Sequence, residues 1–372
     1  MNTLPGRPAR PPSPSPRARR PHRAPRRPTL LLTLVALLLA GCGAFDGGAA
    51  GWPAGEGTLP LFDDLERFSG LGEHPRAGAS DAFWEAWGDG RAELSGYRMT
   101  VTRYGAPRPA ELALIYVTEP HDRRSWIKDD GAEGRNRVEV LKLNQNVEFM
   151  TGIYPYSVMT SIFAPVEPWF DEPFTPVRVT HAVQEWCGAY SHLVWPAPGR
   201  FRSLRLSYFE HEGETLGETR VARGTLYEDA LLIQLRELDG PFADGGDWEG
   251  ELVPELWRLR TGHRGTEPVA ARIIRDEGTW DHAGTEVAVT RFTLEAGDYR
   301  RVFRVERDAP RRILSWETST GESAELIATE RLAYWELNRP GDEAWRERLG
   351  LSPRGSLPPG TDPGPAGGCA PG

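Results

Sequence analysis

The feature that most constrains the fold is a series of short segments, in the second half of the chain, in which apolar and polar residues alternate. One of them, Glu286–Leu294, places Val287 and Val289 on one face and Phe292 and Leu294 on the other. Such segments recur roughly every 10 to 14 residues with turn-forming residues between most of them, which is typical of an antiparallel β-meander. The predicted strands are Phe201–Phe209, Glu267–Arg275, Glu286–Leu294, Tyr299–Arg307, Arg311–Thr318 and Glu322–Trp335, and the predicted turns are Asp276-Glu277-Gly278, Glu295-Ala296-Gly297-Asp298, Asp308-Ala309-Pro310 and Thr320-Gly321.

The first half of the chain carries a strand signal from Leu94 onward. Leu112–Thr118 is apolar on both faces and predicts a central strand, and Val138–Leu143 predicts another. Pro107 and Pro109 are assigned to the connection before the central strand, where proline is tolerated. The charged segment His121–Arg135 is predicted to be a loop.

Only a few segments predict helices. They are Leu61–Phe68, Ser80–Gly88 with Ser80 as its N-cap, and Glu343–Leu349. Asp229–Leu238 fits either a helix or a buried strand. The predicted fold is therefore mainly β: a large curved antiparallel sheet with a few short peripheral helices.

The chain begins with a segment typical of an exported protein. Residues 1–28 hold 8 arginines and no acid, and Thr29–Ala40 is an apolar run of 12 residues. A bilayer span needs about 20 residues, so this run fits the core of a signal peptide better. Leu39-Ala40-Gly41-Cys42 resembles the lipobox of bacterial lipoproteins, which implies cleavage before Cys42 and lipidation of its thiol. An ordinary signal peptide is the alternative.

Composition divides the rest of the chain. Residues 42–60 are Gly-rich and predict a flexible tether, and residues 61–351 are predicted to form a single large β-rich domain. Residues 352–372 hold 6 Pro and 6 Gly, a composition that predicts a disordered tail. In the proteobacterial sorting pattern, Gly43 after the lipidated cysteine favours the outer membrane over the inner membrane. The expected location is therefore the bacterial cell envelope.

The charge of the chain excludes some partners. It holds 44 basic and 53 acidic residues, a net charge of −9. Without the 8 leader arginines, 36 basic residues remain against 53 acidic ones, a net charge of −17. This balance argues against nucleic acid, which needs a basic surface, and against adsorption to anionic lipid. Membrane attachment is expected to come from acyl chains on Cys42.

The centre of the chain, Leu141–Tyr190, contains only two Lys or Arg residues, Lys142 and Arg178. Because long charged side chains are rarely buried, we expect this stretch to lie inside the domain. Its strings LKLNQNVEFMTGIYPYSVMTSIFAPV and VTHAVQEWCGAY resemble a bacterial envelope family whose members are often labelled "septum formation inhibitor Maf". The Ser/Pro/Arg motif of Maf pyrophosphatases has its nearest counterpart at Ser15-Pro16-Arg17, within the leader. The resemblance therefore implies an envelope protein and carries over no catalytic residues.

A second resemblance concerns the final meander, RVFRVERDAPRRILSWETSTGESAELIATERLAYW. It is similar to the curved sheets of envelope proteins related to lipoprotein-sorting carriers, in which an antiparallel sheet wraps into a half-open barrel. The resemblance covers about 70 residues, and it implies a half-open barrel for this chain.

Cys187 is the one cysteine between the chain ends, and it has several possible roles. His181 and His192 flank it and could act as a base for a cysteine nucleophile. A buried structural cysteine is the favoured interpretation, because free cysteine is usually found in cores. We therefore expect its thiol to react slowly in the folded protein. A disulfide with Cys369 is a further alternative in an oxidising compartment.

Polar and aromatic residues of the central stretch could line a ligand cleft. The candidates are Asn144, Tyr154, Tyr156, Gln184 and Trp186. No metal site is expected, because the two groups of neighbouring metal-ligand types are interpreted as solvated loop or turn residues; they are Glu119-Pro120-His121-Asp122 and Glu210-His211-Glu212. No cofactor is expected, because no phosphate-binding or dinucleotide glycine motif occurs.

Three functions remain open from the sequence. The first is a membrane-anchored β scaffold that binds an envelope lipid, glycan or protein. The second is a hydrolase or transferase that uses Cys187 with a histidine. The third is a purely structural lipoprotein. A non-enzymatic role is favoured.

Overall fold

The computed structural model describes residues 80–122, 126–129, 137–169, 173–240 and 246–353. The expectations for the leader, Cys42, the tether, the helix at Leu61–Phe68, Cys369 and residues 354–372 lie outside the described residues. Within the described part, no helix combines the length and the apolar character that crossing a membrane requires.

The described chain is mainly β, which confirms the predicted fold class. Its strands are β1 (Ala92–Arg103), β2 (Ala106–Asp122), β3 (Ile127–Lys128), β4 (Arg137–Thr151), β5 (Tyr154–Pro165), β6 (Arg178–Glu185), β7 (Gly188–Ala197), β8 (Arg200–Leu206), β9 (Glu214–Arg220), β10 (Leu226–Tyr227), β11 (Trp248–Val253), β12 (Val269–His282), β13 (Thr285–Ala296), β14 (Tyr299–Glu306), β15 (Ile313–Thr318) and β16 (Ser323–Leu332).

All sixteen strands belong to one sheet. Its order is β10-β11-β12-β13-β14-β15-β16-β1-β2-β4-β5-β6-β7-β8-β9, with β3 paired beside β2. Each pairing is antiparallel except that of β10 with β11. Two meanders therefore meet where β1 pairs with β16, with Ala92 opposite Leu332. The sheet does not close, because β9 and β10 at the two ends of the path do not pair with each other.

The helices are α1 (Asp81–Trp87), α2 (Leu231–Glu237), α3 (Leu256–Thr261) and α4 (Trp345–Arg348), with 3₁₀ turns at Glu228–Ala230, Tyr334–Glu336 and Asp342–Ala344. The hydroxyl of Ser80 accepts a hydrogen bond from the N–H of Phe83 at 3.2 Å, which confirms the predicted N-cap of α1. The ambiguous segment Asp229–Leu238 is helical.

The sheet wraps around α2 and the residues before it. Leu231, Leu232, Ile233 and Leu235 are all buried, and so are the polar Gln234 and Arg236 of the same helix. Strands from across the sheet reach this segment. Tyr116 of β2 donates a hydrogen bond to the carbonyl of Leu232 at 3.0 Å, Glu93 of β1 pairs with Arg236 at 2.6 Å, and Phe201 of β8 packs on Tyr227 with ring centroids 6.2 Å apart.

The C-terminal helix α4 lies on the outer face of the sheet. Leu349 and Leu351, just after it, form a small buried cluster with Ala92, Leu94 and Val117. Gly96 permits this approach, because a Cβ there would overlap the carbonyl oxygen of Leu349.

Two strand boundaries predicted from the sequence were wrong. Pro107 and Pro109 lie inside β2 rather than in a connection. β2 pairs with β4 only from Ala110 onward, so the first residues of β2, which include both prolines, have no neighbouring strand on that side. A proline lacks the backbone N–H, but on the side without a neighbouring strand no hydrogen bond between strands is lost. The turn predicted at Asp276-Glu277-Gly278 lies inside β12. The chain turns instead at Ala283-Gly284, where both residues have positive φ.

The interpretation of Glu119 and His121 as solvated loop residues was also wrong. Both lie on one face of β2 and are buried. His121 Nε2 lies 2.9 Å from Glu119 Oε1, and Lys142 Nζ lies 2.7 Å from Glu119 Oε2. The pairing with Lys142 of β4 explains how this carboxylate is accommodated in a buried position.

Candidate functional site

The antiparallel order gathers several hairpin turns at one end of the sheet, which we call the upper end. The turns at Tyr104-Gly105, Gly152-Ile153, Trp186-Cys187 and Gly297-Asp298 lie there, because each follows a strand that runs in the same direction. Helix α3, which the sequence analysis did not predict, follows β11 at the same end.

A cleft of about 890 Å³ lies at the upper end. This volume is within the range of small-molecule sites in proteins. We call it the upper cleft, and its polar lining residues are Thr102, Arg103, Tyr104, Arg258, Thr261, Arg264, Asp298, Tyr299, Ser319, Thr320 and Glu322.

Two arginines of the upper cleft have no carboxylate partner at ion-pair distance. Among the described residues, no carboxylate lies within 4 Å of the guanidinium of Arg103 or of Arg264, whereas Arg258 pairs with Glu228 at 2.7 Å. Arg103 lies over the ring of Tyr104, 4.4 Å from its centroid, and donates a hydrogen bond to the hydroxyl of Tyr156 at 3.4 Å. The guanidinium groups of Arg103 and Arg264 can therefore bind an anionic group of a ligand, although Asp298 and Glu322 line the same cleft.

Aromatic side chains continue from the cleft along its rim. The hydroxyls of Tyr104 and Tyr156 are 2.7 Å apart, and the ring centroid of Tyr154 lies 6.0 Å from that of Tyr156 and 6.2 Å from that of Trp186. Tyr104 is 58% and Trp186 68% exposed. We call Tyr104, Tyr154, Tyr156 and Trp186 the aromatic rim. Tyr156 is buried beneath it, and the rings of Tyr104 and Trp186 present flat apolar surfaces to solvent.

Three of the five predicted ligand residues, Tyr154, Tyr156 and Trp186, therefore lie together. The other two do not join them. Asn144 pairs with Ser161 of β5, and Gln184 pairs with Ser157 of β5. Both serines lie on the opposite face of β5 from Tyr156, which faces inward. The outer face thus carries both amides, with Gln184 exposed and Asn144 buried.

Below the cleft lies a buried network of charges. Glu228 accepts hydrogen bonds from Tyr299 Oη at 2.9 Å, from Arg258 Nη2 at 2.7 Å and from the N–H of Glu255 at 3.0 Å. Arg301 lies 3.0 Å from Glu255 Oε1 and 3.4 Å from Glu228 Oε1. Burial acts to raise the pKa of Glu228, but Arg258 and Arg301 outweigh it and hold that pKa below its ordinary value.

Glu322 links this network to the cleft. It lines the upper cleft and also a small internal cavity of about 30 Å³, which Gln145, Glu255 and Arg301 border. Its Oε1 accepts a hydrogen bond from Trp257 Nε1 at 2.9 Å. Burial, reinforced by the nearby charge of Glu255, raises the pKa of Glu322 to about 7. A carboxyl group with such a pKa in a cleft marks a candidate functional position.

The arrangement expected for a cysteine nucleophile is not formed. His181 and His192 face each other across β6 and β7, and both are 1% exposed. His181 Nδ1 lies 2.8 Å from Thr160 Oγ1. Cys187 instead lies in the β6–β7 turn, six residues beyond His181, or about 20 Å along an extended strand. Burial lowers the pKa of His181 to about 3 and that of His192 to about 4, so both rings are neutral at pH 7.

The expectation that Cys187 is buried was wrong. It is a free and exposed cysteine in the two-residue turn between Glu185 and Gly188. A hydrogen bond with the carboxylate of Glu185 raises the pKa of the thiol, which lowers the fraction of reactive thiolate at neutral pH. Slow reaction is still expected, but because of this carboxylate and not because of burial.

A second large pocket, of about 820 Å³, opens at the opposite end of the sheet near α1. Its arginines are largely neutralised: Arg236 pairs with Glu93, Arg312 with Glu306 and Arg331 with Asp89. The upper cleft is therefore the stronger candidate for an anionic ligand.

Five residues of the upper cleft were not predicted from the sequence: Arg103, Arg258, Arg264, Tyr299 and Glu322. They come from four separate parts of the chain and meet only because of the sheet topology. Comparison of the chain with protein-family models, with curated proteins and with solved structures gave no match.

Proposed function

We propose that the protein is a lipid-anchored scaffold of the bacterial envelope that binds an anionic glycan in the upper cleft. The observation that carries this proposal is the position of Arg103 and Arg264, without carboxylate partners among the described residues, beside the aromatic rim. Guanidinium groups form strong charge-assisted hydrogen bonds with carboxylates and phosphates. Exposed tyrosine and tryptophan rings offer an apolar face to a sugar ring and a polar group at the edge.

The hydroxyl groups of the cleft suit the same class of ligand. Thr102, Thr261, Ser319 and Thr320 line it, and hydroxyls can both donate and accept hydrogen bonds with sugar hydroxyls. A purely apolar lipid chain would cover the guanidinium groups of Arg103 and Arg264 without offering them a charged or polar acceptor, which costs free energy. A glycan is therefore favoured over a lipid tail as the ligand of the cleft.

We predict that removal of either unpaired arginine weakens binding of an acidic sugar. The probe is an oligomer of uronic acids, with a neutral oligosaccharide of the same length as the reference ligand. Because a hydrogen bond to a charged group contributes roughly 1.5–3 kcal/mol, Arg103→Ala and Arg264→Ala should each weaken binding of the acidic oligomer by about 10-fold or more, measured by isothermal titration calorimetry at two salt concentrations.

The matched control is Arg220→Ala, which removes an exposed arginine from β9, far along the sheet path from β1. It should leave the affinity unchanged. Equal weakening by Arg220→Ala would show that general charge, not the cleft, attracts the oligomer. Failure of the parent protein to bind any acidic oligosaccharide would favour a purely structural lipoprotein.

Membrane attachment is tested separately through Cys42. The leader and the lipobox-like residues Leu39-Ala40-Gly41-Cys42 support lipidation as the means of attachment, because two or more acyl chains hold a protein on a membrane firmly. Cys42→Ser is predicted to move the protein from the membrane fraction to the soluble fraction or to block its processing, measured by fractionation and by intact mass. Cys369→Ser is the control. Unchanged membrane retention and processing of Cys42→Ser would contradict the lipid anchor but leave the glycan proposal intact.

A further inference from the structure

Two histidines and a glutamate from distant parts of the chain converge at the upper end of the sheet. His211 and Glu212 lie in the turn between β8 and β9, and His263 follows α3. One ligand atom from each residue lies within 4.8 Å of the others. His263 Nδ1 is hydrogen-bonded to Glu212 Oε1, and His211 Nε2 lies 3.9 Å from the same oxygen.

The carboxylate at the centre of this cluster is held in place by groups behind it. The side chain of Glu212 is only 7% exposed and accepts hydrogen bonds from Arg260 Nη1 at 3.1 Å and from the hydroxyl of Ser207. Its backbone N–H donates to the carbonyl of Phe209 at 3.0 Å. Such outer contacts orient a carboxylate ligand in metal sites before the ion arrives.

The backbone also fixes His263. Helix α3 ends at Gly262, and His263 adopts a left-handed conformation with φ of 51°. This conformation is uncommon for a residue with a side chain. The N–H of Arg264 donates to the carbonyl of Leu259 at 2.9 Å, which closes the end of the helix around His263. The imidazole is thus held against Glu212.

The two imidazoles of the cluster are exposed, whereas the arginine that contacts the carboxylate is buried. The side chains of His211 and His263 are 65% and 47% exposed, whereas that of Arg260 is 7% exposed. Each carboxylate oxygen has two lone pairs. Glu212 Oε1 can therefore exchange its hydrogen bond with His263 for a metal ion and keep the hydrogen bond from Arg260.

We propose that His211, Glu212 and His263 form a binding site for a divalent transition-metal ion, with Zn²⁺ as the representative ion. Two imidazole nitrogens and one carboxylate oxygen are ligands that Zn²⁺ accepts, with further positions left for water. The competing interpretation is an ion-pair network of Arg260, Glu212 and His263 alone. In that network His211 is only a peripheral member, 3.9 Å from Glu212 Oε1 and beyond hydrogen-bond distance, whereas a metal site requires its imidazole as a ligand.

The test is titration of the metal-free full chain with Zn²⁺, followed by calorimetry and by thermal unfolding. One Zn²⁺ should bind per chain and raise the unfolding temperature, because an ion that binds only the folded state stabilises it. His211→Ala and His263→Ala should each weaken binding at least 10-fold and abolish the rise. Mg²⁺ and Ca²⁺, which prefer oxygen ligands, should not bind at this site.

The control is His282→Ala, at the far end of β12, which should bind Zn²⁺ like the parent. Circular dichroism of each variant checks that it is folded. Absence of stoichiometric Zn²⁺ binding to the folded parent would overturn the proposal, as would unchanged binding by folded His211→Ala. Neither outcome bears on glycan binding by Arg103 and Arg264.

Discussion

Replacing Arg301 with methionine is expected to destabilise the protein by about 3–5 kcal/mol, since removal of one partner leaves buried charges uncompensated. Arg301 is 3% exposed and contacts both Glu228 and Glu255. Methionine retains part of the apolar packing but cannot neutralise either carboxylate. The free energy of unfolding, measured by urea denaturation at pH 7 and followed by tryptophan fluorescence, should fall by this amount.

The neighbouring Arg300 provides the matched control, because it carries the same charge on the exposed face of β14. Arg300→Ala should change the free energy of unfolding by no more than about 0.5 kcal/mol, as is usual for surface substitutions. Adding Glu255→Gln to Arg301→Met should recover part of the lost stability, because it removes one of the two carboxylates that lost Arg301 as a partner. A loss below 1 kcal/mol for Arg301→Met would mean that the network below the cleft is solvated.

The second large effect is expected for Glu322→Gln and depends on pH. The folded-state pKa of Glu322 is about 7, against an ordinary value of 4.5. Between these values the folded state holds a proton that the unfolded state has released, so this group makes stability fall as pH rises from about 4.5 to 7. Glutamine stays neutral and can still accept the hydrogen bond from Trp257.

Glu322→Gln should therefore be more stable than the parent at pH 8, by up to about 3 kcal/mol, and nearly equal to it at pH 4. The measurement is the difference in free energy of unfolding between variant and parent across this pH range. Glu317→Gln, on the exposed part of β15, is the control and should show no comparable rise. A difference that does not grow between pH 4 and pH 8 would show that Glu322 titrates like an ordinary surface carboxylate.

The hairpins were the part of the fold that the sequence predicted best. At Gly297-Asp298 and Thr320-Gly321 a turn signal separates two alternating segments, and the structure has a turn at both places. The turn prediction failed where the local composition favours a turn but the segment is paired with a neighbouring strand. Gly278 resembles a turn residue but is paired with Val289 inside β12, because cross-strand pairing outweighs the weak local preference of one glycine.

The candidate site was predictable only in part, and charge is the reason. The aromatic residues Tyr154, Tyr156 and Trp186 stand out in the sequence because they belong to one stretch that is poor in basic residues, Leu141–Tyr190. Arg301 and Glu228 do not, because a charged residue in an alternating segment is normally assigned to solvent. Their burial depends on mutual neutralisation between segments about 70 residues apart, which no local pattern reveals.

The junction of β1 with β16 determines when folding can finish. Neighbouring strands from β1 to β9 and from β11 to β16 are close in sequence, so hairpins within each meander can form locally. The junction pairs Ala92 with Leu332, and such long-range contacts form late because closing the intervening loop costs entropy. Until Ser323–Leu332 arrives, β1 exposes unpaired backbone groups that can pair with other chains. Aggregation during synthesis is therefore expected to be greatest for chains truncated before β16.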